Sequence, residues 1–449
     1  RGTGKPFPEV KRMNRTVEPN KTLLVDGPAS VQMLSGMAEV FGAPLEIGEK
    51  IIIREGKRLP FEVKEKTMFN LTLGEGALSE EVDGSTIPIS WRKTSEELLL
   101  HKPPTIVMVM GGVDCGKSSF CTFLANNALK RRLKVALIDA DLGQSDVGPP
   151  STVGCCYVKN FIKDPFDIKA EDAHFVGLTS PSKVVNAVVE SLKNFKEKML
   201  QGGAEFVIVN TDGWVEGEEA IEYKVKLTQN VKPNFVVGIE QKNELTPLMM
   251  ALKETRIYTV ESPTAIRRRD KEKRKILREL NYKKYLKGAK VQTFPLSWVK
   301  FEGAPLGAGL TPSQERMRWI NEFLQLSPLY CEETPNTLLI VLKRGQWLNF
   351  DSLKKLEEKM GKEVKIALEG EENGLLVALQ DSAGKFLGIG ILLGIDFKRK
   401  TVKINTPVNQ DISTVSLGQI KLDKNFKEKG PSSLFLNSEP KFSLNQRNF

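Results

Sequence analysis

The sequence predicts an α/β fold with a parallel sheet, flanked along the chain by small N-terminal and C-terminal mainly β domains. Three observations predict it. Between residues 105 and 260, apolar strand-like runs alternate with amphipathic helical runs, the pattern of a parallel sheet covered on both faces. A glycine-rich turn, Gly111-Gly112-Val113-Asp114-Cys115-Gly116-Lys117-Ser118-Ser119, joins the first of these strands to the first of these helices. Before and after this region the chain reads as short strands separated by turn residues.

At 449 residues the chain is too long for one core, and about three domains are expected. Its 40% hydrophobic and 27% charged content is that of an ordinary globular protein. The longest apolar runs, 105–113 and 387–395, are about half a bilayer crossing, so no membrane partner is expected. The five cysteines, Cys115, Cys121, Cys155, Cys156 and Cys331, follow no regular frame. That argues against a disulfide scaffold and for a reducing compartment. With His101 and His174 as the only histidines, a zinc site or a Ser-His-Asp triad lacks its ingredients.

Taken in order, residues 1–20 read as a flexible basic lead-in. Residues 21–98 read as a β domain with strands at 22–25, 38–41, 50–54, 61–63 and 67–73, and no catalytic cluster stands out in it. Residues 99–310 carry the α/β pattern. Strands are expected at 105–110, 134–138, 206–209, 235–237 and 256–260, and helices at 118–130, 183–199, 220–230 and 245–253. The first helix sets Phe120, Phe123, Leu124 and Ala128 on one face, a core-facing stripe. A bridging helix at 313–326 opens a mostly β region over 311–425, with strands at 337–342, 364–367, 375–380, 387–396 and 401–405. Asp396-Phe397-Lys398-Arg399-Lys400 forms a basic turn between the last two. The polar tail, 426–449, reads as disordered.

The chemistry sits at the ends of the α/β strands. Gly-x-x-x-x-Gly-Lys-Ser between a strand and a helix is a Walker A phosphate loop. Its glycines let backbone N–H groups turn inward around phosphate oxygens, and the helix start and Lys117 add positive charge. Ser118 stands where a hydroxyl ligates Mg²⁺. The next strand ends in Asp139-Ala140-Asp141-Leu142-Gly143-Gln144. A carboxylate there can hold Mg²⁺ or take a proton from an attacking hydroxyl, and both Asp139 and Asp141 are on offer. Thr211-Asp212-Gly213-Trp214 ends a later strand, where Trp214 either stacks on a nucleobase or is core. The segment Gly238-Ile239-Glu240-Gln241-Lys242-Asn243 lacks the Asn-Lys-x-Asp guanine reader, which disfavours a GTPase.

The net charge is +10, and the stretch from Arg267 to Lys290 holds twelve Lys and Arg against three Asp and Glu. Such a block beside a nucleotide site suggests a polyanionic partner. It reads as a helix with Asp270 near its start. Arg267, Lys271, Arg274 and Arg278 share one face, so the helix is suited to act as a lid whose guanidinium groups match phosphate oxygens.

Together these motifs resemble the RNA 5′-hydroxyl polynucleotide kinases related to the pre-mRNA cleavage factor and the pre-rRNA-processing kinases, the archaeal members most closely. The residues that carry the resemblance are Gly111 to Ser118, Asp141-Leu142-Gly143-Gln144, Thr211-Asp212-Gly213-Trp214 and Arg274-x-x-x-Arg278. It implies a P-loop kinase core with a lid at about 264–290, ATP as phosphate donor and Mg²⁺. The implied acceptor is the 5′-OH end of RNA, with DNA ends left open, and RNA-processing proteins are implied partners. It also implies a cytoplasmic location in a prokaryote or a nuclear one in a eukaryote. By resemblance, Lys117, Asp141, Arg274 and Arg278 are catalytic. Gly111, Gly112, Val113, Asp114, Cys115, Gly116, Lys117, Ser118 and Ser119 bind ATP. Ser118 and Asp141 hold the metal, and Gln144, Thr211, Gly213 and Trp214 hold the acceptor. A non-catalytic, ATP-bound scaffold of an RNA-processing complex is the alternative. The joint presence of Lys117, Asp141, Arg274 and Arg278 favours activity.

Overall fold

A computed structural model describes residues 11–252, 255–266, 268–307, 309–346 and 350–432. The chain divides into two compact units, one ending at Asn281 and the other starting at Tyr282.

The first unit opens with an antiparallel sheet made of β1 (Lys11–Val17), β2 (Lys21–Asp26), β3 (Ala29–Val40), β4 (Ala43–Pro44), β5 (Lys50–Ile53), β6 (Arg58–Leu73) and β7 (Ser79–Asp83). β1 pairs with β6 along its whole length, Lys11 opposite Leu73 and Val17 opposite Thr67. Residues 11–17, expected in a flexible lead-in, are therefore part of the sheet; residues 1–10 lie outside the described residues. The expected breaks at 64–66 are also absent. Lys64, Glu65 and Lys66 point to solvent, and β6 runs unbroken through them for 16 residues. Their charge mimics a turn signal, but the ladder needs only their backbone. On either side, Phe61, Val63, Phe69, Leu71 and Leu73 alternate into the core at the two-residue period of a strand.

Helix α1 (Ile89–Leu99) leads into the α/β core. Trp91 is 1% exposed and packs edge-on against Phe120, ring centroids 5.1 Å apart. The β domain thus ends before α1, earlier than the expected boundary at 98. The core then runs β8 (Thr105–Gly111), α2 (Lys117–Lys130), β9 (Val135–Asp139), β10 (Thr152–Val158), β11 (Asp172–Phe175), α3 (Val185–Gln201), β12 (Phe206–Asn210), α4 (Glu218–Val231), β13 (Phe235–Glu240), α5 (Thr246–Ala251) and β14 (Arg256–Glu261). Its strand order is β11-β10-β9-β12-β8-β13-β14.

Five of these strands are parallel, as expected, whereas β10 runs antiparallel to β9 and β11 antiparallel to β10. The sheet is mixed at that edge. The strand β10 carries no helix-crossover signal, and its segment looks like loop because Gly148, Pro149 and Pro150 precede it. Within β8, Val107 and Val109 face the core shared with α1 and α2, while Ile106, Met108 and Met110 face the core shared with α3, α4 and α5. Every residue of β8 is buried, as a parallel strand covered on both faces must be.

The division falls within helix α6 (Lys271–Tyr285), the basic block. Asp270 Oδ1 accepts from the Lys273 amide at 2.7 Å and caps its start.

The second unit contains β15 (Lys290–Pro295), β16 (Lys300–Glu302), α7 (Gln314–Leu324), β17 (Tyr330–Glu333), β18 (Thr337–Leu342), α8 (Phe350–Met360), β19 (Glu363–Leu368), β20 (Leu375–Gln380), β21 (Phe386–Asp396), β22 (Thr401–Thr406), β23 (Thr414–Leu422) and β24 (Glu428–Pro431). One sheet has the order β15-β22-β21-β20-β23-β16, with β24 on β23; a small sheet, β17-β18-β19, packs with α7 and α8. Residues 290–302, expected with the lid and the α/β domain, pair instead with β22 and β23. Residues 428–431, expected in a disordered tail, pair with β23; residues 433–449 lie outside the described residues.

Candidate nucleotide and polynucleotide site

Three loops leave the carboxyl ends of adjacent strands β9, β12 and β8 and meet. The phosphate loop follows β8. Gly116 caps α2 with φ +104°, and a Cβ there would come within 2.7 Å of Ile266, so only glycine fits. Lys117 is 6% exposed and its Nζ donates to the Gly112 carbonyl at 2.7 Å, which curls the side chain back over its own loop. Val113, Asp114, Gly116, Lys117, Ser118 and Ser119 line a cavity of about 370 Å³. Cys115 takes part only through its backbone. Its side chain is buried in the core, burial pushes its thiol pKa up, and its carbonyl accepts from Ser262 Oγ at 2.9 Å.

The two acids at the carboxyl end of β9 have separate duties. Asp139 is 1% exposed, and it accepts from Asn210 Nδ2 and from the amides of Asp141, Asp146 and Val147. It organises the loop. Burial, with the charges of Asp146 and Asp141 added, pushes its pKa up to about 7. Asp141 lines the cavity, with Oδ1 accepting from the amides of Gly143 and Gln144 at 3.2 and 2.9 Å. Burial raises its pKa, and the Lys117 charge opposes the rise. The strand stops at Asp139, so the two carboxylates do not share one face.

The third loop touches the phosphate loop directly. A Cβ on Gly213 would lie 2.9 Å from the Val113 amide nitrogen, so glycine is needed for this approach. Trp214 is half-buried and stacks on Tyr223 of α4, centroids 5.6 Å apart at 28°. Thr211, expected to hold the acceptor, turns its hydroxyl into the sheet and donates to the Val109 carbonyl at 2.9 Å. It secures the loop from below. Beneath it lies a group that motif reading missed. Asp212 Oδ2 meets Lys224 Nζ at 3.0 Å and Tyr223 OH at 2.8 Å, while Oδ1 accepts from the Trp214 amide at 2.9 Å. Burial lowers the Lys224 pKa, and Asp212 opposes that.

The lid helix reaches the same place. Arg274 Nη1 is 3.4 Å from Asp114 Oδ2, and Arg269 Nη1 is 3.2 Å from Asp114 Oδ1. Gln144 Nε2 donates to the Arg274 carbonyl at 3.0 Å. Arg278, Arg268, Arg269 and Lys273 line the cavity. Arg267 lies outside the described residues. The structure therefore gathers Lys117, Ser118, Asp141, Gln144 and the arginines of the lid, with the Gly213-Trp214 loop alongside.

The β domain supplies a wall that the sequence did not disclose. Asp26, Lys57 and Arg58 line the cavity. Arg58 pairs with Asp26 at 2.8 Å and donates to the Ala265 carbonyl, Lys57 reaches Asp146 at 3.5 Å, and Arg54 meets Asp164 at 2.6 Å. No local motif marks these residues, because packing of two domains creates the wall.

Ser118 and Asp141 are hard oxygen donors on one cavity, the donor type that suits Mg²⁺. Among the described residues no cluster of three or more His, Cys, Asp or Glu forms a metal cage. Mg²⁺ needs none, since it is usually held by one or two protein oxygens with waters and substrate phosphates. Among the described residues no helix is long and apolar enough to cross a membrane.

Residues 111–288 match the family model described as mRNA cleavage and polyadenylation factor CLP1 P-loop. A polyribonucleotide 5′-hydroxyl-kinase of Methanocaldococcus jannaschii is 26% identical over 333 residues, 73% of this chain and 90% of that protein. One from Pyrococcus furiosus is 26% identical over 347 residues, 77% of this chain and 95% of that protein. A CLP1 homolog of Brugia malayi is 24% identical over 315 residues, 64% of this chain and 72% of its own length. In fold, the chain is similar to Clp1p as solved in a Clp1p–Pcf11p complex. The TM-score is 0.66 at 13% identity, with 92% of this chain and 98% of that one covered.

Proposed function

We propose that this chain, a member of the family of RNA 5′-hydroxyl polynucleotide kinases related to CLP1, transfers the γ-phosphate of ATP to the 5′-OH end of RNA. The single observation that carries the reading is the convergence of Lys117, Ser118, Asp141 and Arg278 on one cavity, closed by the Gln144 bond to the Arg274 carbonyl.

Position supports the following roles. The loop amides and Lys117 neutralise the β- and γ-phosphates. Asp141 orients the 5′-hydroxyl and accepts its proton as the 5′ oxygen bonds to the γ-phosphorus. The bond from that phosphorus to the β–γ bridging oxygen breaks, and ADP leaves. Arg274 and Arg278 stabilise charge on the group in transit. Trp214 holds the terminal base by stacking, on a loop that touches the phosphate loop. Ser118 and Asp141 would hold Mg²⁺, which when bound offsets charge on the phosphates. Catalysis is positioning and electrostatics, with no covalent enzyme intermediate.

The test is transfer of labelled γ-phosphate by the purified full chain to single-stranded RNA, single-stranded DNA and duplex acceptors bearing 5′-OH ends. Labelled RNA is the expected result. ATP binding without transfer to any acceptor would instead support a scaffold.

A further inference from the structure

We infer that the second unit carries a surface for single-stranded RNA, formed by Trp298 and the basic turn between β21 and β22. The inference rests on the polynucleotide acceptor proposed above and concerns nucleotides beyond the reacting end.

Trp298 is 73% exposed. A tryptophan ordinarily buries on the order of 150–250 Å² and dominates whatever it packs against, so an exposed one has a large unused contact face. The backbone that carries it is tied to a cationic turn. The Leu296 amide donates to the Lys400 carbonyl at 2.8 Å, so Trp298 lies two residues past a direct bond to the turn Asp396-Phe397-Lys398-Arg399-Lys400. The turn is well anchored. Phe397 is buried against Tyr330, and Asp396 Oδ1 accepts from the amides of Lys398 and Arg399. Lys398, Arg399 and Lys400 are exposed on this rigid base.

The adjoining strands extend the surface. On β22, Val402 and Ile404 are fully buried, so Lys403 faces the other way, opposite Thr293 of the edge strand β15. Lys287 and Lys290 lead into that edge. Among the described residues, Lys287, Lys290, Lys398, Lys400 and Lys403 have no carboxylate within ion-pair distance. Arg399 has only Asp396 at 3.9 Å and stays 85% exposed. From residue 280 to residue 301 the chain contains no Asp or Glu. Like charges set this close repel one another, and a row of phosphates removes that cost. An extended row of cations beside one exposed aromatic is how proteins hold single strands without reading sequence. An acidic protein segment could use the cations but would leave Trp298 without a purpose.

The test uses the full chain and labelled single-stranded RNA of about 20 nucleotides, against an acceptor of about four that is shorter than most single-strand binding sites. Binding is read by fluorescence anisotropy across a salt series, separately from phosphoryl transfer. The triple variant Lys398→Glu, Arg399→Glu, Lys400→Glu should weaken binding of the long RNA about tenfold or more, and its log–log salt slope should fall by about 2. Trp298→Ala should weaken it roughly tenfold while leaving the slope unchanged. Both variants should melt like the parent and use the short acceptor with unchanged kcat and KM. Unchanged affinity for the long RNA with an unchanged salt slope would overturn the inference. So would unchanged RNA affinity with lost binding of polyglutamate, which would assign the surface to an acidic protein. If the parent protein phosphorylates neither RNA yet the variants still lose affinity, the kinase reading fails and this surface stands.

Discussion

Asp212 and Lys224 form an ion pair of 3.0 Å directly beneath the Gly213-Trp214 loop, with side chains 5% and 0% exposed. Lys224 Nζ also donates to the Asp212 carbonyl at 3.0 Å, so one ammonium fixes both the side chain and the backbone of the loop. Removing one partner strands a buried charge. Lys224→Met should therefore destabilise the fold by about 3–5 kcal/mol. Asp212→Asn combined with Lys224→Met should recover part of the loss, since no unpaired ion remains. Urea denaturation of the two variants checks this; equal stability of single and double variants would show the pair to be uncoupled.

Trp214 rests on Tyr223, and in the proposed function it stacks on the terminal base. Trp214→Ala should raise the KM for RNA roughly 5- to 100-fold, the range of one base stack, with little change in ATP affinity. Tyr223→Leu removes the support and should raise the same KM to a smaller extent. Steady-state kinetics with ATP and RNA varied in turn separate the two. Equal loss of both affinities would mean that Trp214 serves only the core.

Asp139 and Asp141 should fail differently. Asp139→Leu leaves one side-chain and three backbone donors of a buried turn without their acceptor, and should cost at least about 3 kcal/mol of stability. Asp141→Asn can still accept from the Gly143 and Gln144 amides. It should melt near the parent temperature while losing phosphoryl transfer. Melting curves paired with transfer rates distinguish them, and the reverse pattern would exchange their roles.

Asp114 holds both Arg269 and Arg274 on the phosphate loop. These arginines are 26% exposed, so each bond is worth at most about 1 kcal/mol. Asp114→Ala should speed amide exchange in the first turns of α6 by about fivefold or less, with the rest of the sheet unaffected. Hydrogen exchange read by mass spectrometry checks this, and protection unchanged in α6 would show that other contacts hold the lid down.

How much of this was legible in the sequence depended on the range of each interaction. The phosphate loop, the acids at the end of β9 and the basic helix are local patterns that a short stretch of sequence carries whole. β18 and β20 begin and end at the expected residues because turn residues bracket continuous apolar runs. β10 was hidden because Gly148, Pro149 and Pro150 before it read as loop, and β11 because it is only four residues long. β15 and β16 were hidden because their partners lie about 100 residues further along the chain. The roles of Thr211, Tyr223 and Lys224 are likewise set by neighbours in space. A Thr next to Asp-Gly-Trp looks like a ligand until the Val109 carbonyl is seen to take its hydroxyl. A Lys within an amphipathic helix looks like surface until Asp212 is found opposite it.

In the proposed function, Lys117 and the terminus of a polynucleotide share one site of phosphoryl transfer. The deciding measurement is the rate at which labelled γ-phosphate passes from ATP to a 5′-OH RNA, parent against Lys117→Ala. The parent should transfer readily and the variant should lose on the order of 100-fold or more, with the fold intact. Transfer at the parental rate by Lys117→Ala would contradict it.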